Sequence, residues 1–388
     1  MIQIIFVGSL LFPLISTYLL ALSHQWDWLY LNAGLVWLAI VSYVGIEYLA
    51  RHNKNVDWFL SLAILNLLLL TPELLLRQAN FHYELGIQFG YPNPTQFESL
   101  VPDEELFWRL SPERSDINSL GFRGKEIELP KPPAVYRIVF LGDSVLYQGY
   151  PEIVETFLNA QGRTEMRFES VNLAIPGYST YQGRILVDKY GDRLEPNLVL
   201  ISYGWNDHWQ AYGQIDSQKK MVVNRSAADM ALGTFYQHSR VLQSLRYMLG
   251  LFLGAERPLT VVRVPIDEYR DNLIYIGNFF TARNVPVIFI TPPTAHYALG
   301  VPDYLVEENF ATDKESVVTL HRTYNQIVRE VVATHNWLIL DLEQEFASLN
   351  QLSEIFVEDG VHLTPTGSAS VAKRVTDFIG ANWPALSP

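Results

Sequence analysis

From residue 135 onward the chain alternates short apolar runs with longer amphipathic stretches, and this rhythm leaves few folds open. The runs YRIVFLG (136–142), FESVNLAI (168–175), NLVLISYG (197–204), VPVIFITPP (285–293) and WLILDLE (337–343) are rich in β-branched and aromatic residues and close on turn formers. Apolar character without strict alternation is what a strand needs when both of its faces are buried. Between the runs, residues 151–161, 180–193, 266–284 and 314–335 carry helical patterning. A last helix is predicted to open with Thr364 as N-cap and Pro365 in its first position, running to about residue 379. Strands that alternate with helices build βαβ units, hence a parallel sheet covered by helices. Ligands of such sheets bind beyond the carboxyl ends of the strands.

The chain of 388 residues exceeds one average domain, and composition says what the excess is. Hydrophobic residues make up 49% and charged ones 18%, with the apolar surplus concentrated near the N-terminus. Residues 2–22 carry no charge and, at a helical rise of about 1.5 Å per residue, are long enough for a hydrocarbon layer of about 30 Å. Residues 29–46 and 58–76 are similar, with Glu73 near the end of the third segment. These three segments are read as transmembrane helices forming an anchor over residues 1–77. The loop 50–57 holds Arg51 and Lys54 whereas the loop 23–28 has neither Lys nor Arg, so the positive-inside rule places the former in the cytoplasm and the C-terminal part outside. Cleavage of the first segment as a signal peptide near Ala21 or Ser23 is an alternative, although a basic leader is missing. It would leave two spans and the same outcome. Residues 78–134 read as a membrane-proximal connector ending in the extended LPKPPA, with NSLGFRGKE (118–126) as an ordered loop, and residues 135–388 as the catalytic domain.

A net charge of −13 without a Lys/Arg cluster excludes a nucleic-acid partner. The absence of cysteine excludes disulfides, thiolate metal sites and Cys nucleophiles. The chemistry must come from elsewhere. The run 136–141 empties into Gly142-Asp143-Ser144, which puts a serine hydroxyl at a strand end. Gly-Asp-Ser alone is an ordinary turn sequence. Just before the last helix stands Glu358-Asp359-Gly360-Val361-His362, where an Asp and a His three apart can join in one turn, the carboxylate fixing the imidazole tautomer. After the second and third runs come Ala174-Ile175-Pro176-Gly177-Tyr178 and Gly204-Trp205-Asn206-Asp207. A glycine amide and an asparagine carboxamide are donors suited to an oxyanion. Gly177 can instead serve a tight turn and Asn206 a loop cap. Their coincidence at three successive strand ends favours the chemical reading.

These residues, Gly142-Asp143-Ser144, Gly177, Gly204-x-Asn206-Asp207 and Asp359-x-x-His362, resemble in order and context the four blocks of the SGNH hydrolases, the GDSL-type lipases and esterases. The resemblance covers about residues 135–381. It implies a flavodoxin-like three-layer α/β/α sandwich with a five-stranded parallel sheet, and neither cofactor nor metal. It further implies Ser144 as nucleophile, His362 as general base, Asp359 as the group orienting His362, and an oxyanion hole of Ser144 N–H, Gly177 N–H and the Asn206 side chain. Asp143 would hold the loop without moving protons. The stretch Val145-Leu146-Tyr147-Gln148-Gly149 is longer than in many relatives, so a reshaped entrance is expected.

Aromatic residues crowd the same loops: Tyr147, Tyr150, Tyr178, Tyr181, Tyr203, Trp205, His208 and Trp209. They can stack on a sugar or simply pack the loops. His296, after the fourth run, either faces the crevice or is solvated. The resulting expectation is a membrane-anchored, extracytoplasmic serine esterase or acyl hydrolase acting on ester-linked, O-acetyl groups of a small molecule or glycan. An O-acyltransferase would use the same triad, with a membrane-bound acyl-donor protein or larger membrane complex as partner beside the lipid bilayer. The rival outside catalysis is a membrane-complex subunit that keeps the fold for binding; an intact set of four blocks speaks against it.

Overall fold

In the computed structural model the described residues are 100–160, 166–212, 214–219, 239–252, 260–307, 310–349 and 351–383, with scattered positions between 40 and 81. Contacts divide the chain into two units, one of residues 1–84 with 224–257 and one of residues 85–223 with 258–388. The larger unit holds an antiparallel hairpin of β1 (Leu100–Asp103) and β2 (Phe107–Leu110). Strands β3 (Val135–Gly142), β4 (Arg167–Asn172) and β5 (Leu198–Ser202) follow, then a two-stranded ribbon of β6 (Gln210–Tyr212) and β7 (Thr260–Val262), and finally β8 (Val287–Ile290) and β9 (Leu338–Leu340).

The main sheet has the order β4-β3-β5-β8-β9 and every neighbouring pair is parallel. Counting only its own strands, that order is 2-1-3-4-5, the flavodoxin-like doubly wound arrangement. Its first crossover runs to one side of β3 and the next returns to the other, so a crevice opens at the carboxyl ends of β3 and β5, where Gly142 pairs with Ser202.

Each strand faces two cores, as the continuous apolar runs require. Ile138 and Phe140 point to one face with Leu198, Leu200, Ile288 and Ile290, and are covered by α1 (Tyr150–Ala160) and the C-terminal helix Pro365–Asn382. Val139 and Leu141 point to the other with Val199, Ile201, Val287 and Phe289, and are covered by α2 (Thr180–Tyr190), α3 (Ile266–Thr281) and α4 (Lys314–His335). The C-terminal helix, α5, starts as its sequence dictates: Thr364 accepts from the Gly367 amide at 3.0 Å and Pro365 takes the first position, where no N–H is needed. The expected elements are present, with every strand of the main sheet except β3 shorter than its apolar run, because residues 173–178 and 291–295 leave the sheet as loops and residues 205–208 and 342–347 turn into short helices.

Residues 100–134 do more than connect. Leu100, Phe107, Trp108, Leu110 and Phe122 belong to the second core, and the buried Arg137 at the start of β3 donates to Glu128 O at 2.8 Å and to Leu194 O at 2.8 Å.

The three apolar segments 2–22, 29–46 and 58–76 lie outside the described residues except at isolated positions. Among the described residues no helix is long and apolar enough to cross a membrane. In the smaller unit, the helix Arg240–Phe252 is capped by Glu73, whose carboxylate accepts from the Arg240 and Val241 amides at 3.0 and 2.9 Å. Residues 224–257 lie inside the range 135–388 but group by contact with the N-terminal residues.

Candidate active site

Strand β3 ends against its neighbour so closely that a Cβ on Gly142 would lie 2.6 Å from Ser202 O, so only glycine fits there. The chain then turns at once into the short helix Ser144–Tyr147, whose N-cap is Asp143, with Asp143 Oδ1 accepting from Val145 N at 3.0 Å. Ser144 is thereby presented, half-buried, at the switch point of the sheet.

Ser144 Oγ lies 2.7 Å from His362 Nε2, across 218 residues of sequence. His362 Nδ1 lies 2.5 Å from Asp359 Oδ2, and Asp359 Oδ1 accepts the Val361 and His362 amides, each at 2.8 Å. A carboxylate can only accept, so Nδ1 carries the proton and the Nε2 lone pair faces the serine. Burial alone would lower the His362 pKa, but the hydrogen bond and charge of Asp359, with Asp143 behind, hold it above the ordinary imidazole value. Burial alone would raise the Asp359 pKa, yet the hydrogen bond and charge of His362 and two backbone amides hold it below the usual carboxylate range.

The loop that carries this pair is pinned from several sides. Leu363 N donates to Gln148 Oε1 at 2.9 Å, which ties the histidine loop to the end of the serine helix. Gln148 belongs to the stretch 145–149 that follows the serine. His296 is buried beneath the loop, its Nε2 donating to Asp359 O at 2.7 Å, so it is neither solvated nor open to the crevice. Gly360 has φ +70°, and a Cβ there would stand 2.5 Å from His296 Cδ2.

Gly177 has φ +83° in the Ile175-Pro176-Gly177-Tyr178 turn, closed by Tyr178 N donating to Ile175 O at 3.1 Å. Proline second and glycine third is the type II pattern. The Ser144 and Gly177 amides meet no acceptor among the described residues. Asn206, buried after β5, donates from Nδ2 to Tyr178 O at 3.1 Å and lies 3.4 Å from Asp143 Oδ2. Asp143, fully buried, is pushed up to about 6 by desolvation, and its two oxygens brace the serine helix and Asn206. Asp207 accepts from Thr180 N at 2.9 Å, and burial pushes it up to about 7.

The aromatic crowd divides. Tyr150, Tyr178, Tyr203, Trp205, His208 and Trp209 are at most 5% exposed and pack the loops, as where Trp205 stacks on His321 at 3.8 Å. They offer no face to a sugar. Tyr147 and Tyr181 keep partial exposure.

Two groups that sequence reading passed over also shape the site. Trp108 Nε1 donates to Pro176 O at 3.0 Å. Arg263 donates to Gly177 O at 2.7 Å and pairs with Asp216 at 2.9 Å, both side chains being fully buried. A lone cation inside the apolar run TVVRVP (260–265) was the available signal for Arg263.

Among solved structures, the chain is similar to a lipase/acylhydrolase from Enterococcus faecalis, at 18% identity over 63% of this chain and 96% of that one, with a TM-score of 0.41. It is similar to an acetylxylan esterase from Geobacillus stearothermophilus at 17% identity over 63% and 94%, TM-score 0.38. A GDSL-like lipase from Bacteroides thetaiotaomicron follows at 15% identity over 64% and 88%, TM-score 0.39. No curated protein matches the chain. Residues 140–369 match the GDSL-like lipase/acylhydrolase family, a stretch that contains the serine turn, both donor loops and the Asp-His turn. The chain is a serine hydrolase and belongs to the GDSL-like lipase/acylhydrolase family.

Proposed function

We propose that this protein is a carboxylic ester hydrolase in which Ser144, His362 and Asp359 form the catalytic triad and the Ser144 amide, the Gly177 amide and Asn206 Nδ2 form the oxyanion hole. The observation that carries the reading is the continuous contact Ser144 Oγ to His362 Nε2 at 2.7 Å and His362 Nδ1 to Asp359 Oδ2 at 2.5 Å. Ser144 Oγ attacks the acyl carbonyl carbon while its proton passes to His362 Nε2. The carbonyl oxygen becomes the oxyanion, facing the three N–H donors. Collapse breaks the ester C–O bond, and His362 returns the proton to the departing alcohol oxygen. Water, deprotonated by His362, then attacks the acyl-enzyme and releases the acid and Ser144.

The substrate in this proposal is a short, O-acetyl-type ester on carbohydrate. The half-exposed Tyr147 and Tyr181, beside the serine and after the Gly177 turn, are the aromatic surfaces left to meet a sugar. Acetate release from an acetylated xylo-oligosaccharide, compared with hydrolysis of long-chain aryl esters, tests this. Preference for the acetylated sugar supports the proposal and preference for long acyl chains contradicts it. Repeating the assay with an unacetylated oligosaccharide present shows whether the acyl group passes to water or to a sugar hydroxyl.

We further propose attachment to a membrane with the hydrolase unit on its outer face, through residues 1–77. The apolar sequence of segments 2–22, 29–46 and 58–76 supports this, as does the helix Arg240–Phe252 of the same unit, which exposes Leu245, Met248, Leu249 and Phe252 along one stripe. The full chain should float with phosphatidylglycerol-containing liposomes and resist extraction by carbonate. Recovery in the soluble fraction would contradict the proposal.

A further inference from the structure

The loop from Ile175 to Tyr178 presents four carbonyls, and each has a donor. Ile175 O accepts from Tyr178 N at 3.1 Å, Pro176 O from Trp108 Nε1 at 3.0 Å, Gly177 O from Arg263 Nη1 at 2.7 Å, and Tyr178 O from Asn206 Nδ2 at 3.1 Å. A trans peptide is planar, with its C=O and N–H pointing in opposite directions. The carbonyl of Pro176 and the amide of Gly177 belong to one peptide unit. Whatever holds Pro176 O therefore sets the direction of Gly177 N–H.

That holder is the indole of Trp108, which is fully buried. Its place is secured in turn by Tyr178 OH donating to Trp108 O at 2.5 Å, and by Phe107 stacking on Tyr181 with ring centroids 5.6 Å apart. Phe107 itself has φ +72°, an uncommon conformation for a residue with a side chain, and it persists where surrounding contacts over-determine it. The β1–β2 hairpin thus grips the turn through both backbone and side-chain contacts. Trp108 lies outside residues 140–369, so this grip is added by the preceding segment to the family's own region.

We propose that Trp108 is a positioning residue which, by fixing the Pro176 carbonyl, aims the Gly177 amide at the oxyanion of the transition state. The proposal rests on the reading that Gly177 donates to that oxyanion. An N–H pre-aimed at developing charge needs no reorganisation during the reaction, and a bond accepted by the carbonyl of the same peptide polarises the amide further. Without the indole donor, Pro176 O would lose the bond that holds it and the peptide would be free to rock. The consequence falls on the transition state, since the ground-state carbonyl requires little from this donor.

The test compares the full-length wild type with Trp108→Phe and with Trp108 replaced by 3-benzothienylalanine, which keeps the bicyclic shape but lacks the N–H and so guards against a mere packing defect. On an aryl acetate, both variants should lose about 10-fold in kcat with KM within about twofold of wild type. Phosphonylation of Ser144 by a fluorophosphonate, which also forms a tetrahedral adduct with an oxygen in the hole, should slow by the same factor. A structural role alone would lower melting temperature and active fraction without this matched loss. Wild-type kcat and phosphonylation in the benzothienylalanine protein would overturn the proposal, as would a rise in KM with kcat unchanged. Asn206→Ala, run in parallel, separates the two claims: if it too is fully active, the oxyanion reading itself fails, whereas its loss beside an active Trp108 variant removes only the role of Trp108.

Discussion

Asn206 donates its carboxamide N–H to the carbonyl of Tyr178 at 3.1 Å, so the loop after the third strand of the main sheet is tied to the loop after the second. Its other N–H meets Asp143 Oδ2 at the longer distance of 3.4 Å. In the proposed oxyanion hole, the bond to Tyr178 holds the amide in place and the N–H in long contact with Asp143 exchanges that contact for the substrate oxygen. Asn206→Ala should lower kcat by roughly 100-fold or more with a small change in KM. Asn206→Asp, which offers acceptors in place of donors, should do no better. Steady-state kinetics on an aryl acetate check both, and a fully active Asn206→Ala protein would remove Asn206 from the oxyanion hole.

The pH profile follows from the His362–Asp359 pair. As the general base of the proposed triad, His362 would have to be neutral to accept the serine proton, and its pKa is held above the ordinary 6.5. Activity is therefore lost as pH falls through that raised value, so kcat/KM should drop on the acid side with a midpoint above 6.5. In Asp359→Asn the raising hydrogen bond and charge are gone while burial, which lowers the pKa, remains. The midpoint should move down and the plateau rate should fall by several orders of magnitude, because the tautomer is no longer fixed. A midpoint unmoved by Asp359→Asn would contradict the pairing.

Gly360 sits between the two residues of that pair with φ +70° and with His296 Cδ2 2.5 Å from where a Cβ would stand. Gly360→Ala should cost about 1–3 kcal/mol in stability through the backbone and the clash. It should also reduce kcat, because the Asp359–His362 turn must shift to make room. Thermal melting together with kinetics checks this, and wild-type values of both would show that the loop is less constrained than its contacts imply.

Much of this architecture is legible in the sequence for a simple reason: strands buried on both faces need continuous apolar runs, and the groups singled out stand directly behind them. Ser144 after 136–142, Gly177 after 168–175 and Asn206 after 197–204 come together because parallel strands bring their carboxyl ends to one edge. The β1–β2 hairpin is invisible by the same logic. Its strands have four residues each, too few to show a period, and Pro102 and Asp103 break the apolar character of the first. Arg263 is legible as an oddity but its meaning depends on Asp216, 47 residues away, with which it shares a fully buried ion pair. The aromatic loop residues mislead in the opposite sense, since composition cannot separate Trp205 stacked on a buried His321 from a ring open to a sugar.

Labelling of Ser144 tests the central claim most directly. The full-length protein, treated with a fluorophosphonate at neutral pH and analysed by peptide mass spectrometry, should carry one adduct, on Ser144. Labelling should be absent in Ser144→Ala and strongly slowed in His362→Ala. A folded protein that stays unlabelled, or that carries the adduct on another residue while Ser144 is untouched, would contradict the account.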